Sequence, residues 1–238
     1  MKISALVALA ISSCATARTI TVYNGCPFTI WPATYTGVGA TPDFATGWEA
    51  NAYTSVSFSV PDNWQAGRIW ARRDCNFNDP TPATQCLDGG CNGGLECNPT
   101  GGTGIPPATL AEFTLQGTGF VDYFDISMVD GYNLPMRIDN TKGCGVPDCA
   151  VDLGPNCPAA LKGPYDSTGF PVGSNSPNCC SGSYDTPATC PSSGVAYYSY
   201  FHDACPHVYA YAYDDASAAF TCDSNLAADY TVTFCPAS

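Results

Sequence analysis

The sequence predicts a mainly β protein, an antiparallel β-sandwich core with disulfide-rich loop lobes. Three observations lead there. Short alternating runs rich in Val, Ile, Thr, Phe and Tyr recur along the 238 residues. Gly and Pro, 23 and 20 residues, punctuate the intervals between these runs. Fifteen cysteines concentrate where no period is visible, as in a chain stapled by disulfides.

In chain order, Met1-Lys2 precedes an apolar run, Ile3 to Ile11, and then Ala15-Thr16-Ala17. A basic start, a short apolar core and an Ala-x-Ala end predict a signal peptide over residues 1–17. The run is too short to span a bilayer. The mature chain, 18–238, is therefore expected outside the cell or in a cell wall, with no integral membrane segment. Thr19–Tyr23 and Phe28–Ala33 read as strands on either side of a turn at Asn24-Gly25. Ser55–Val60 places Val56, Phe58 and Val60 on one face. Gly67–Arg72 sets Ile69 opposite Arg68 and Trp70. Cys75–Gly104 has little regular pattern. Two further strands, Ala108–Leu115 and Tyr123–Val129, flank a Gly-bearing connection at Gln116–Val121. After Arg137 the alternation weakens, and Gly143–Cys190 reads as loop, so a disulfide-rich lobe is placed at about 143–205. Ser192–His202 has an ambiguous spacing that admits a short helix. Tyr230–Phe234 is a last strand before Cys235. With no repeat and no long linker, residues 18–238 are expected to form one domain and a monomer.

Composition narrows the partners. Eight basic residues face twenty-one acidic ones, a net charge of −13. Such a surface repels phosphates, so no nucleic acid is expected. It suits neutral sugars, cations or basic partners. Without Cys14 of the leader, fourteen cysteines remain, an even number consistent with a disulfide framework. Only two histidines are present and no paired Cys-x-x-Cys knuckles, so no metal and no cofactor is expected. Asn98 is followed by Pro99, so no glycosylation sequon survives.

The candidate chemistry lies in Pro106–Met136. Glu112 and Asp125 each sit in a β-prone run, opposite a strongly apolar stripe: Ala111, Phe113 and Leu115 for the first, Phe124, Ile126 and Met128 for the second. Asp130 follows in a turn at Asp130-Gly131. If the two strands share a sheet, Glu112 and Asp125 project from the same side. Acids opposite a core face are ordinarily just solvated. Two convergent carboxylates, however, permit glycoside hydrolysis, one protonating the leaving oxygen and the other acting as nucleophile or base. Arg68 is suited to holding such a cluster together. Asp214-Asp215 follows an aromatic run, Tyr209–Tyr213, whose rings could stack on sugars.

At these residues the chain resembles the thaumatin-like (pathogenesis-related group 5) family. The strongest stretches are GRIWARRDCNF (Gly67–Phe77), CNGGLEC (Cys91–Cys97), PPATLAEFTL (Pro106–Leu115), YFDISMVDGYNLPM (Tyr123–Met136), AYDDASAAFTC (Ala212–Cys222) and YTVTFCP (Tyr230–Pro236). The resemblance implies a β-sandwich with an acidic cleft lined by Arg68, Glu112, Asp125, Asp130 and Asp215. It implies bridges Cys26–Cys235, Cys75–Cys86, Cys91–Cys97, Cys144–Cys222, Cys149–Cys205 and Cys180–Cys190. Plant members typically carry sixteen cysteines; the two missing here leave Cys157–Cys179 as a re-paired bridge. The usual Cys-x-Thr-Gly-Asp-Cys signature reads CLDGGC, with Gly90 in place of an aspartate. The implied function is β-1,3-glucan binding in the cleft, with weak endo-β-1,3-glucanase activity. In that reading Glu112 is the acid and Asp125 or Asp130 the base or nucleophile. An antifungal role or remodelling of a fungal wall would follow. The alternative is a non-catalytic defence protein or a hydrolase inhibitor on the same scaffold.

Overall fold

A computed structural model describes residues 17–91, 93–99, 104–158 and 186–237. The leader assignment lies outside the described residues except for Ala17, which opens the first strand. Among the described residues ten strands form two five-stranded sheets. One sheet has the order β3-β1-β10-β7-β8: Ser55–Pro61, Ala17–Asn24, Tyr230–Phe234, Met136–Asn140 and Asp148–Cys149. The other has the order β2-β4-β5-β6-β9: Trp31–Val38, Gln65–Arg72, Leu110–Gly117, Val121–Ser127 and Phe220–Asp223. Pairing is antiparallel except between β1 and β10, which run parallel from Ile20↔Tyr230 to Asn24↔Phe234. Parallel neighbours need a long crossover, and here nearly the whole described chain lies between them.

Three strands were hidden in the sequence. β7 alternates correctly, with Met136 and Ile138 buried, but it is short and its outward residues, Arg137 and Asp139, pair with each other at 2.9 Å. β8 and β9 have two and four residues. β2 begins later than expected and runs on to Val38. It is an edge strand, where Pro32 removes no indispensable ladder bond. The short helix expected near Ser192–His202 is α1, Tyr198–His202; a second, α2, spans Asp215–Ala218. Among the described residues no helix is long and apolar enough to cross a membrane.

The inner faces of both sheets meet in one core. Ile20, Val22, Ile138 and Val232 come from one sheet, and Ile69, Phe113, Phe124 and Ile126 from the other. Tyr230 joins them, its ring 5.5 Å from Phe113 and 4.9 Å from Phe124. Such contacts add about 0.5–1.5 kcal/mol each beyond area burial. Two charges share these inward positions. Arg18 is in phase with Ile20 and Val22, and Asp122 is in phase with Phe124 and Ile126; they are 2% and 0% exposed. The Arg18 Nη1–H donates to Asp122 Oδ2 at 2.7 Å, and its guanidinium also reaches the carbonyls of Ser224 and Ala228. Asp122 accepts further bonds from the Tyr230 hydroxyl (2.8 Å), the Ser224 hydroxyl and the Gln116 N–H (3.0 Å). A buried pair is tolerated when most of its remaining lone pairs and protons are satisfied in this way; here the Arg18 Nε–H is left with only the ion-pair contact to Asp62 at 3.3 Å.

A smaller core lies on the far side of β4, around Trp70, Ala108 and Leu110. The Trp70 indole donates to the Gly89 carbonyl (2.8 Å), and buried Arg72 donates to the carbonyls of Trp31, Gly94 and Leu95. Burial pushes the Arg72 pKa down to about 10. In the CLDGGC loop Asp88 pairs with Arg73 and accepts from Asn133 Nδ2. Gly89 has φ +64°, and a Cβ there would lie 2.8 Å from the Ala71 carbonyl. Gly90, where the family signature has an aspartate, meets nothing closer than 3.9 Å.

Five of the implied disulfides are made: Cys26–Cys235, Cys75–Cys86, Cys91–Cys97, Cys144–Cys222 and Cys149–Cys205. Cys190 is buried and disulfide-bonded, while its expected partner, Cys180, lies outside the described residues. The expected Cys157–Cys179 bridge is a correction. Cys157 is a half-buried free thiol that points to the Pro158 carbonyl at 3.7 Å. Cys179, like most of the expected lobe at 143–205, lies outside the described residues.

Candidate functional site

Arg68, Glu112 and Asp125 occupy one row across three neighbouring strands. The register pairs Arg68 with Glu112 and Glu112 with Asp125. Their chain neighbours Ile69, Phe113 and Phe124 turn into the core, so strict alternation sends all three charged side chains to the opposite face. There they line a cleft of about 380 Å³ with Asp130, Ser127, Tyr209 and Asp215.

The remaining wall comes from outside the sheet. The Tyr209 N–H donates to the Ile126 carbonyl at 2.9 Å, and the Met128 N–H to the Tyr209 carbonyl at 2.8 Å, so the segment docks beside β6 like a fragment of strand. Asp214 then folds the chain over. It is buried and accepts from the Ala210 N–H (2.9 Å), the Tyr211 N–H (3.2 Å) and the Tyr198 hydroxyl (2.8 Å). Asp215 is released toward the cleft, where its Oδ1 accepts the Tyr209 hydroxyl at 2.8 Å. The adjacent acids thus divide their work: Asp214 shapes the loop and Asp215 lines the cleft. On the other side, the Ala108 N–H donates to the Asp130 carbonyl at 3.0 Å. Gly131 has φ +94°, and a Cβ there would meet Pro107 at 2.8 Å, so this turn requires glycine. Asn133 ties the turn to the sheet through the Thr109 N–H and the Ala71 carbonyl.

The Arg68 Nε–H donates to Glu112 Oε1 at 2.6 Å, and the side chains are 37% and 27% exposed. An ion pair this open contributes at most about 1 kcal/mol to stability. Its consequence is electrostatic. Burial raises the Glu112 pKa, and Asp130 adds to this, while Arg68 and the Ser127 hydroxyl oppose it. Asp125 is pushed well above the usual carboxylate range by burial and then by the charge of Glu112, with Arg68 only partly opposing. Its Oδ1 is buried without a hydrogen-bond partner. The Tyr209 hydroxyl is pushed up by burial and by its bond to Asp215. No group of three or more His, Cys, Asp or Glu side chains among the described residues is placed to hold a metal ion.

All five residues singled out in the sequence line this cleft. Ser127 and Leu110 line it too, and parity points to both, since each is two residues from an acid on the same face. Tyr209 arrives from an irregular segment, where alternation gives no signal.

Comparison with known proteins agrees with this architecture. Residues 24–236 match the model of the thaumatin family. Thaumatin-like protein 1 of Arabidopsis thaliana is 41% identical over 237 residues, covering 92% of this chain and 86% of that protein. Pathogenesis-related thaumatin-like protein 3.5 of Cryptomeria japonica is 40% identical, covering 95% and 93%. A protein of Prunus avium named glucan endo-1,3-beta-glucosidase is 38% identical, covering 92% and 91%. Taken with the two-sheet architecture, these matches show that the chain belongs to the thaumatin family.

Proposed function

We propose that this is a secreted protein whose acidic cleft binds β-1,3-glucan and which acts against, or remodels, glucan-bearing walls. The observation that carries this reading is the convergence of Arg68, Glu112, Asp125, Asp130, Asp215 and Tyr209 on one cleft from four separate parts of the chain. Sugar hydroxyls donate to carboxylates and accept from a guanidinium, and a tyrosine ring offers a stacking face. A neutral polymer suits a chain of net charge −13, whereas an anionic one would be repelled.

Hydrolysis is a second reading of the same cleft. It is favoured by the facing Glu112 and Asp125 pair and by the name of the Prunus avium relative. The test is calorimetric titration with a soluble β-1,3-glucan, alongside reducing-end release, for wild type and Glu112→Gln. Binding lost or weakened about tenfold in the folded variant supports the cleft reading. Release that disappears with it supports hydrolysis. Binding without release leaves a non-catalytic defence protein. No binding to any β-1,3-glucan refutes the proposal and turns attention to hydrolase inhibition.

A further inference from the structure

We infer that Asp125, rather than Glu112, is the carboxyl that keeps its proton in the cleft near neutral pH, offering an O–H donor to the ligand while Arg68 holds Glu112 as the carboxylate. This exchanges the roles that the resemblance implies, and its use in catalysis rests on the glucan reading above.

Four carboxyls line the cleft, and among the described residues lining it Arg68 is the one cation. The guanidinium donates to Glu112, at 2.6 Å on the adjacent strand. Asp125 is one strand further from Arg68 and faces Glu112 directly across the ladder. Directly opposed residues have Cβ atoms about 4.5–5.5 Å apart, so two negative charges there repel strongly. The groups facing Asp125 from its surroundings are Glu112 and Arg68 on the sheet, Asp130 at the turn, and Tyr209 and Asp215 on the covering segment. Three of these five are acidic. Tyr209 already donates its hydroxyl to Asp215.

The oxygen environment separates the two acids. Asp125 Oδ1 is sealed from solvent and has no donor. On a carboxylate that oxygen carries half of a negative charge with nothing to receive it. On a neutral acid it is an uncharged carbonyl, for which a missing bond costs far less. The proton then belongs on Oδ2, the oxygen left to serve the cleft. Glu112 is also pushed up by burial, but unlike Asp125 Oδ1 it has donors that oppose this, the Arg68 guanidinium against Oε1 and the Ser127 hydroxyl. Burial and the neighbouring charge push the Asp125 carboxyl in the same direction.

The chemical consequence is a division of labour along one ladder rung. A neutral Asp125 donates to a ring, hydroxyl or glycosidic oxygen. In the hydrolytic reading its proton moves to the glycosidic oxygen as the bond from that oxygen to the anomeric carbon breaks. The Glu112 carboxylate, directly across the ladder, forms the new bond to that carbon, as suits closely spaced carboxyls. Water then attacks the same carbon, giving its proton to Asp125 as the bond to Glu112 breaks, which restores both groups.

The test needs no ligand. The full mature chain, with ¹³C in its Asp and Glu carboxyls, is titrated by NMR from about pH 3 to about pH 8. The Asp125 resonance is assigned by its loss in Asp125→Asn and independently through its backbone. The expected result is an Asp125 carboxyl still at the protonated position near pH 6, with Glu112 at the carboxylate position. In Glu112→Gln, which removes the facing charge and frees Arg68, the Asp125 midpoint falls by about one pH unit or more. A protonated Glu112 beside an ionised Asp125, two ionised carboxyls near pH 6, or an Asp125 midpoint unmoved in Glu112→Gln would each overturn the inference. Failure to bind glucan would instead overturn the proposed function and leave this titration untouched.

Discussion

Replacing Asp122 by alanine tests the link between the two sheets. Its carboxylate is fully buried and receives bonds from Arg18, Ser224, Tyr230 and the Gln116 N–H. Removing it leaves the Arg18 guanidinium, 2% exposed, facing mainly carbonyls and the more distant Asp62 at 3.3 Å. Breaking one side of a buried pair costs about 3–5 kcal/mol. A domain of this size has about 5–15 kcal/mol in total, so a large share is lost. With a urea slope of about 2–3 kcal/mol per molar, the midpoint falls by about 1–2.5 M. The assay is equilibrium urea unfolding with disulfides kept oxidised. The pH dependence gives a second readout. Burial pushes the Asp122 carboxyl up, but its donors, Arg18 first, more than offset this and hold it below the usual range. A depressed carboxyl contributes stability above its unfolded pKa, about 3.9, and loses it as pH falls through the folded value. Asp122→Asn should therefore flatten the acid limb of the stability curve. A loss under about 1 kcal/mol for Asp122→Ala would refute the reasoning, because that is the scale of an exposed pair such as Arg68–Glu112.

Three further outcomes follow from other sites. Asp125 is raised by burial and by Glu112, so the wild-type fold loses stability as pH climbs from the unfolded carboxylate value through the folded one. Asp125→Asn removes that loss, and its thermal midpoint should rise relative to wild type toward neutral pH; a variant that gains nothing there contradicts a strained carboxyl. Gly89→Ala forces a Cβ to within 2.8 Å of the Ala71 carbonyl at positive φ, and should cost about 1–3 kcal/mol in urea unfolding, whereas Gly90→Ala, whose Cβ would make only ordinary contacts at 3.9 Å, should be near neutral. Replacing both Cys26 and Cys235 by serine opens a closure of 209 residues. That should cost about 2–5 kcal/mol in the same assay, against a smaller loss for the six-residue closure of Cys91–Cys97.

Much of the cleft was legible because alternation is unforgiving. Once Phe113 and Phe124 are inside, Glu112 and Asp125 must be outside, and the same rule sends Arg68 away from Ile69. Alternation also encodes the buried ion pair. Arg18 is in phase with Ile20 and Val22, and Asp122 with Phe124, so both belonged on the buried face. A strand taken to begin at Thr19 hides the first, and a connection drawn as Gln116–Val121 leaves the second unplaced. Tyr209 and the different tasks of Asp214 and Asp215 depend on an irregular segment folding back over β6, and no local period encodes that return. β7 was obscured for a related reason. Five residues with charged outward positions look like loop until β10 supplies the partner.

The parallel pairing of β1 with β10 sets an order on the birth of the molecule. The strand at the centre of its sheet is made from residues 230–234, synthesised long after β1 and β7, yet it must slot between them. At about 5–20 residues per second, the first strand waits some ten seconds or more for its neighbour. Until then Ile20 and Val22 have β3 beside them but no finished core beneath, and Arg18 lacks the carbonyls of Ser224 and Ala228. A shortened chain that stops before Tyr230 therefore loses the middle of a sheet rather than a frayed end.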